Sequence, residues 1–251
     1  MAYVPVIDWD EDAKAYMSGD YKINDKITVH FPTVREIMFD IGEKEYWQAV
    51  FMLTMTPSDV IAELDDDGLD WEQVPEFDLF IKNFIFMSED MLHIFLPWLN
   101  KDNFQLIENK NTQQINLYDP VNDVLIDSNI YLYIVDYIRY VHGIKKNVIK
   151  AGNAYTHKGL IEDAHKHKKW ASMKKAKADK SQMKAYVSFL MASLSYSRDE
   201  VLDMQMNFFL DIIKRVSAIE TAKEMPFMAY SGMIDTTKKE NKKLFDPMRD
   251  F

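Results

Sequence analysis

The chain has 251 residues, of which 47% are hydrophobic and 13% aromatic, and a net charge of −10. That composition belongs to a globular protein with enough material for one large core or two modest domains, and it excludes a disordered chain. The absence of cysteine excludes disulfides, thiolate nucleophiles and Cys-ligated zinc, and suits a reducing compartment.

The charge is unevenly spread. Residues 1–144 hold 27 acidic against 9 basic side chains, a net of −18, and residues 145–180 hold 11 Lys against 3 acids, a net of +8, while the remainder is balanced. Such asymmetry speaks of partners and of docking within the chain. The sixteen methionines are a second outlier. Met is unbranched and polarizable, so it fills an irregular core or an adaptable surface for hydrophobic segments, and both uses stay open. The first residues, "MAYVPVIDWDED", lack the basic and apolar regions of a signal peptide, and no uncharged apolar run reaches the ~18 residues of a membrane span. A cytosolic chain without a membrane partner is expected.

Residues 1–28 read as a polar, irregular leader with aromatic anchors at Tyr3, Trp9, Tyr16 and Tyr21. Residues 29–143 read as an acidic helical domain. In "FPTVREIMFDIGEKEYW", Thr33 and Glu36 have the spacing of a capping box, and Gly42 suits a left-handed helix end. A helix with Tyr46, Trp47, Val50, Phe51 and Leu53 on its apolar side follows. The acids of this stretch are therefore caps and solvent faces rather than catalysts. Thr56, Pro57 and Asp59 start another helix. A largely buried helix over about 75–87, a break near Ser88 and a shorter helix ending at Pro97 come next. At 104–127 the period changes to short β-like runs, "FQLIENK", "INLYD" and "VLIDS", which predict a small antiparallel hairpin or meander. A helix capped by Ser128 or Asn129 closes at Gly143.

Residues 144–180 carry most of the Lys and little apolar periodicity, and read as a Lys-rich connector in loop form. Residues 181–251 read as a C-terminal helical region with a capping box at Ser197 and Glu200. The fold class expected is mainly α, with helical N- and C-terminal parts and a small antiparallel β meander between them.

Three features suggest chemistry and are outweighed. "DDDGLDWE" departs from a calcium loop in the position of its Gly and in lacking the closing Glu. His157, His165 and His167 lie near Asp163, but in a Lys-rich setting that opposes a cation. The Lys run with Tyr155 and Trp170 has nucleic-acid chemistry, yet residues 1–144 would repel phosphates, so a partner within the chain or on a second subunit is the expected use. No G-x-S-x-G, Walker A, G-x-G-x-x-G or H-E-x-x-H motif occurs. No catalytic residue, metal ligand, cofactor or nucleic-acid partner is expected.

Two blocks carry a resemblance. Residues 29–81, with "HFPTVREI", "IGEKEYW", "TPSD" and "W-x-x-V-x-x-F-D-L-F", resemble the N-terminal part of the tail assembly chaperones of long-tailed bacteriophages that infect Gram-positive bacteria. "MQMNFFLDIIKRVSAIE" and "MAYSGMID" are similar to the terminal part of proteins from the same tail-gene neighbourhood. The resemblance covers about a third of the chain. It implies a non-enzymatic factor of the host cell cytoplasm that coats the tape measure protein, keeps it soluble and helps recruit subunits of the major tail tube protein. Self-association is open, and a virion structural protein of the neck, tail or baseplate is the alternative. A hydrolase with a metal-binding His cluster is a weaker third reading.

The partner surface is sought on "VLDMQMNFFLDIIKRVSAI". Val201, Met204, Phe208, Ile212 and Ile219 mark one stripe, and Leu202, Met206, Phe209 and Ile213 an adjacent one. A double-width stripe exceeds one core face. Met204, Met206, Phe208, Phe209, Ile212 and Ile213, with Met52 and Met55 of the N-terminal helices, are the candidate partner-binding residues. The competing reading is that both stripes are core.

Overall fold

The computed structural model describes residues 4–109, 113–173 and 181–248. The protein is mainly α, with a three-stranded antiparallel meander and a two-stranded hairpin among the helices.

The N-terminal segment is not an irregular leader. Helix α1 spans Trp9–Ser18: the Asp8 carboxylate accepts the Asp10 and Glu11 N–H groups, three acids sit in its first turn, and Gly19 ends it in the left-handed conformation at φ 79°. This is a complete set of helix-start and helix-stop signals. Strands β1 (Asp20–Lys22) and β2 (Thr28–His30) pair antiparallel, with Tyr21 opposite Val29. Tyr21 is fully buried and stacks on Tyr137 at 3.6 Å between ring centroids.

Thr33 caps as its sequence predicts. Its hydroxyl accepts from the Glu36 N–H at 3.2 Å, and the Glu36 carboxylate accepts from the Thr33 N–H at 2.7 Å. The helix it starts, α2 (Val34–Glu36), is a single turn that runs into a π-helical turn, Ile37–Ile41. Gly42 then adopts φ 96°, ψ 133°, a conformation that favours glycine but is not the left-handed cap expected. Loss of the cap in Thr33→Ala is expected to cost about 1 kcal/mol; an unchanged thermal unfolding midpoint would count against this role.

Helix α3 (Glu43–Thr54) buries Tyr46, Ala49, Val50 and Leu53. Asp59 accepts from the Thr56 N–H at 2.8 Å, in the turn that leads to α4 (Ile61–Asp66). Then come α5 (Glu76–Phe86) and α6 (Glu89–His93), the latter capped by Ser88. Strands β3 (Gln105–Glu108), β4 (Ile115–Asp119) and β5 (Val124–Ile126) form the meander, with Leu106 opposite Leu117 and Leu117 opposite Ile126. Helix α7 (Ser128–His142) is capped by Asp127, one residue before the position expected, and ends at left-handed Gly143.

The Lys-rich segment also departs from expectation. Ala154–Met173 form a 20-residue helix, α8, rather than a loop. It packs on α4, where Ile61, Leu64 and Trp71 form a small apolar cluster with Ile149, Leu160, Ile161 and Ala164. The remainder of the predicted connector, residues 174–180, lies outside the described residues. Helices α9 (Gln182–Leu194), α10 (Arg198–Leu202), α11 (Met206–Tyr230) and α12 (Lys239–Lys243) follow. The Ser197–Glu200 capping box is present, but the single helix that "RDEVLDMQMNFFLDIIKRVSAIETAKEM" predicts over 198–225 is interrupted after Leu202 and resumes at Met206. There the chain docks on the N-terminal part, with Val34 N–H on Met204 O at 3.0 Å and Met206 N–H on Pro32 O at 2.9 Å.

The main core ignores the boundaries drawn from sequence, joining Ala15, Phe31, Phe80, Ile126, Tyr137, Leu190, Phe209 and Val216 in one apolar cluster. The leader, the acidic helical region and the C-terminal helices thus share an interior. Among the described residues, no helix is long and apolar enough to cross a membrane.

Candidate functional site

The structure places the proposed partner stripe inside the protein. Met206 and Phe209 are fully buried, and Met204 and Met55 are nearly so. Phe208, Ile212, Ile213 and Met52 are half-buried against the same core. Phe208 meets Tyr16 edge-on at 5.1 Å, and Phe209 meets Tyr186 at 6.4 Å. Two stripes are needed because α11 is covered on two sides, by α1 and by α7. In this fold these side chains form no open groove, which corrects the placement read from periodicity. Much of the methionine load shares that fate, with Met87, Met183, Met206 and Met225 all at most 2% exposed.

Other apolar side chains are open to solvent. Phe39 on the π turn is 69% exposed, Phe51 on α3 51%, and Ile85 and Phe86 at the end of α5 50% and 74%. The three elements adjoin, since α3 packs on both the π turn and α5. The Asn83 amide of α5 donates to the Met52 carbonyl of α3 at 3.0 Å, which fixes the last turns of the two helices side by side. Exposed apolar side chains of this size on adjoining elements are candidates for an interaction surface. Sequence periodicity did not single them out, because it put Phe51 on the apolar side of its helix and Ile85 and Phe86 in a helix read as largely buried.

A polar network holds α3, α5 and α7 together. The Arg139 guanidinium is 4% exposed; it donates to the Thr54 carbonyl through Nη2 at 2.6 Å and Nε at 3.1 Å, and it pairs with Glu76 and with Asp136. Burial would raise the Glu76 carboxyl, but Arg139 and Lys146 outweigh it and hold the group below the usual carboxylate range. Nearby, His142 is enclosed by Phe31, Tyr46, Trp47 and Phe95. Its Nδ1 lies 2.7 Å from the Ile138 carbonyl and its Nε2 2.7 Å from the Tyr46 hydroxyl. Because a carbonyl only accepts, Nδ1 carries the proton and Nε2 accepts from Tyr46. Burial depresses His142 to about 4, with the Lys214 charge acting in the same direction.

A cavity of about 410 Å³ lies between α1, α7 and α11, lined by Trp9, Asp12, Tyr16, Tyr140, Asp211 and Lys214 among others. Tyr137 donates to Asp12 at 3.0 Å and Tyr16 to Asp211 at 3.2 Å. Burial, with the Asp211 charge, pushes the Tyr16 phenol up to about 12, so its hydroxyl stays protonated at neutral pH and acts as a donor. Lys214 donates to the Val141 carbonyl at 2.8 Å, satisfying the end of α7. These groups tie three helices together.

The histidines separate. His165 pairs with Asp65 at 2.7 Å, His157 with Asp70 at 3.1 Å, and His167 lies edge-on to Trp170. They do not converge on Asp163, which pairs with Lys166. Lys168 reaches Asp66 at 2.6 Å and Glu63 at 3.4 Å. The basic helix therefore has the acidic end of α4 as a partner within the chain, the use its charge led one to expect. Compared with known proteins, the chain matches no family model, no curated protein and no solved structure.

Proposed function

We propose that the chain is a phage tail assembly chaperone of the host cytoplasm, without enzymatic activity, which binds the tape measure protein, keeps it soluble and helps recruit tail tube subunits. The observation that carries the reading is the exposed set Phe39, Phe51, Ile85 and Phe86, of which the first two lie within the block at 29–81 that bears the resemblance and the other two just after it. Its setting is the acidic part of the chain, with a net charge of −18 over residues 1–144. An aromatic surface inside a field of carboxylates suits a long amphipathic helix with basic flanks, and the negative field keeps unoccupied copies apart. The surface takes over the role assigned from sequence to Met204, Met206, Phe208, Phe209, Ile212 and Ile213.

The test is co-expression with the tape measure protein of the same phage, followed by pulldown and a solubility assay. The wild type is expected to hold the tape measure in the soluble fraction. Phe51→Asp and Phe86→Asp are expected to lower recovery of the complex by about tenfold or more, the loss that follows removal of a central aromatic contact. Both positions are solvent-exposed, so these variants retain their fold. A wild type that neither binds nor solubilises the tape measure overturns the reading. Stoichiometric presence in purified particles overturns it in favour of a virion structural protein.

A further inference from the structure

We propose that Asp70, Glu72 and His157 form a binding site for a divalent transition-metal ion of the Zn²⁺ class, which clips the acidic loop after α4 to the first turn of α8. The proposal is independent of the chaperone reading. Neither half of the site has the right chemistry alone. "DDDGLDWE" offers carboxylates in the wrong order for calcium, and the His residues of α8 sit among lysines. Folding brings one donor atom from each of Asp70, Glu72 and His157 within 4.8 Å of the other two. A tetrahedral ion with nitrogen and oxygen ligands at about 2.0–2.2 Å separates its donors by about 3.3–3.6 Å. Closing the site therefore needs only a small movement of side chains at the surface.

Two features organise the donors before an ion arrives. The His157 ring stacks on Trp71, with centroids 4.2 Å apart and planes 24° from parallel. Trp71 is itself 3% exposed and donates from Nε1 to the Ile149 carbonyl at 3.3 Å, so the plane of the imidazole is set by a buried neighbour. Glu72 is held by the Ala151 N–H, which donates to its Oε1 at 2.6 Å. The Glu72 N–H donates to Asp70 Oδ1 at 3.0 Å, drawing the two acids to one side of the loop.

The donor set selects the ion. Two carboxylates balance a divalent charge, and an imidazole nitrogen favours Zn²⁺ and its neighbours over Ca²⁺ and Mg²⁺, which prefer oxygen alone. Three protein ligands leave a further position for water. The ion would replace the single His157–Asp70 contact with bonds to both segments, fixing α8 on α4 more firmly than the surface pairs of His165 and Lys168 do.

The experiment uses the full chain stripped with chelator and titrated with Zn²⁺ by calorimetry, with Co²⁺ as the spectroscopic probe. The expected result is one saturable site per chain, a rise in melting temperature reversed by chelator, and a Co²⁺ spectrum with one nitrogen and otherwise oxygen ligands. His157→Ala and Asp70→Asn are each expected to weaken Zn²⁺ binding at least about tenfold, while His165→Ala and His167→Ala leave it unchanged. Absence of saturable binding by the wild type overturns the proposal. So does His157→Ala binding Zn²⁺ as the wild type does, or a loss in His165→Ala equal to that in His157→Ala. The Co²⁺ spectrum of the wild type decides independently of how the variants fold, since a spectrum without a nitrogen ligand overturns the assignment.

Discussion

Replacing Arg139 by methionine is expected to remove about 3–5 kcal/mol of stability, the usual cost of taking one partner from a buried ion pair. The guanidinium sits between Glu76 and Asp136, and Asp136 has no exposed side-chain surface. Methionine fills much of the volume but leaves the Thr54 carbonyl without its donor, Asp136 without its cation and Glu76 with Lys146 alone. Unfolding by urea, with the dependence on denaturant unchanged, measures the loss. Restoring neutrality in the double variant Arg139→Met, Glu76→Gln should recover part of it, since one of the two stranded charges is then removed. Arg35 provides the contrast. It pairs with Asp199 and Asp203 at the surface, and Arg35→Met should barely move the midpoint. Equal losses for Arg139→Met and Arg35→Met would show that the buried network contributes nothing special.

The second large effect is one of pH. His142 is held neutral in the fold, its titration pushed from 6.5 to about 4 by burial. Between those values the unfolded chain takes up a proton that the folded chain refuses, so stability is fully present above about 6.5 and declines as pH falls towards 4. Over the whole window the contribution is about 3 kcal/mol, since each tenfold loss of proton affinity on folding corresponds to about 1.4 kcal/mol. Carboxylates titrate at the lower end of the same range, and the comparison with His142→Gln isolates the imidazole. The variant is expected to be less stable at pH 7 and to show a flatter slope between pH 6.5 and 4. Identical slopes in the two proteins would mean that His142 titrates alike in the folded and unfolded chains.

What the sequence displayed was its local grammar. The Thr33–Glu36 and Ser197–Glu200 boxes were legible because a cap involves residues three apart. The meander was legible because its strands are short β-like runs separated by polar turns and lie next to one another in the chain. Helix α1 carried equally local signals, with Asp8 as cap, acids in the first turn and Gly19 at the end. Its high polarity hid them. Helix α8 was illegible for a physical reason. Its apolar contacts are few, and the acids that neutralise it, Asp65, Asp66 and Asp70, are distant in sequence. The α11 stripe shows a third limit. Periodicity reports that a face is apolar, but not whether this chain or another covers it. For Met206 and Phe209 the cover is the chain's own.

The docking of residues 203–207 on the N-terminal part has a consequence for how the protein is made. The Asn207 amide bonds the Ala15 carbonyl 192 positions earlier, Tyr16 bonds Asp211, and the backbone of 204–206 closes on Pro32 and Val34. A ribosome adding about 5–20 residues per second delivers these partners on the order of ten to forty seconds after α1 and the first hairpin have been translated. Through that interval the side of α1 that carries Ala15 and Tyr16 lacks its final cover, whereas Tyr21 and Phe31 meet Tyr137 as soon as α7 is made. The first hairpin pairs within itself and packs on α7, but α1 is left open on its α11-facing side until α11 emerges. A chain cut short before Met204 should therefore keep that side of α1, and the backbone of Pro32 and Val34, without their partners.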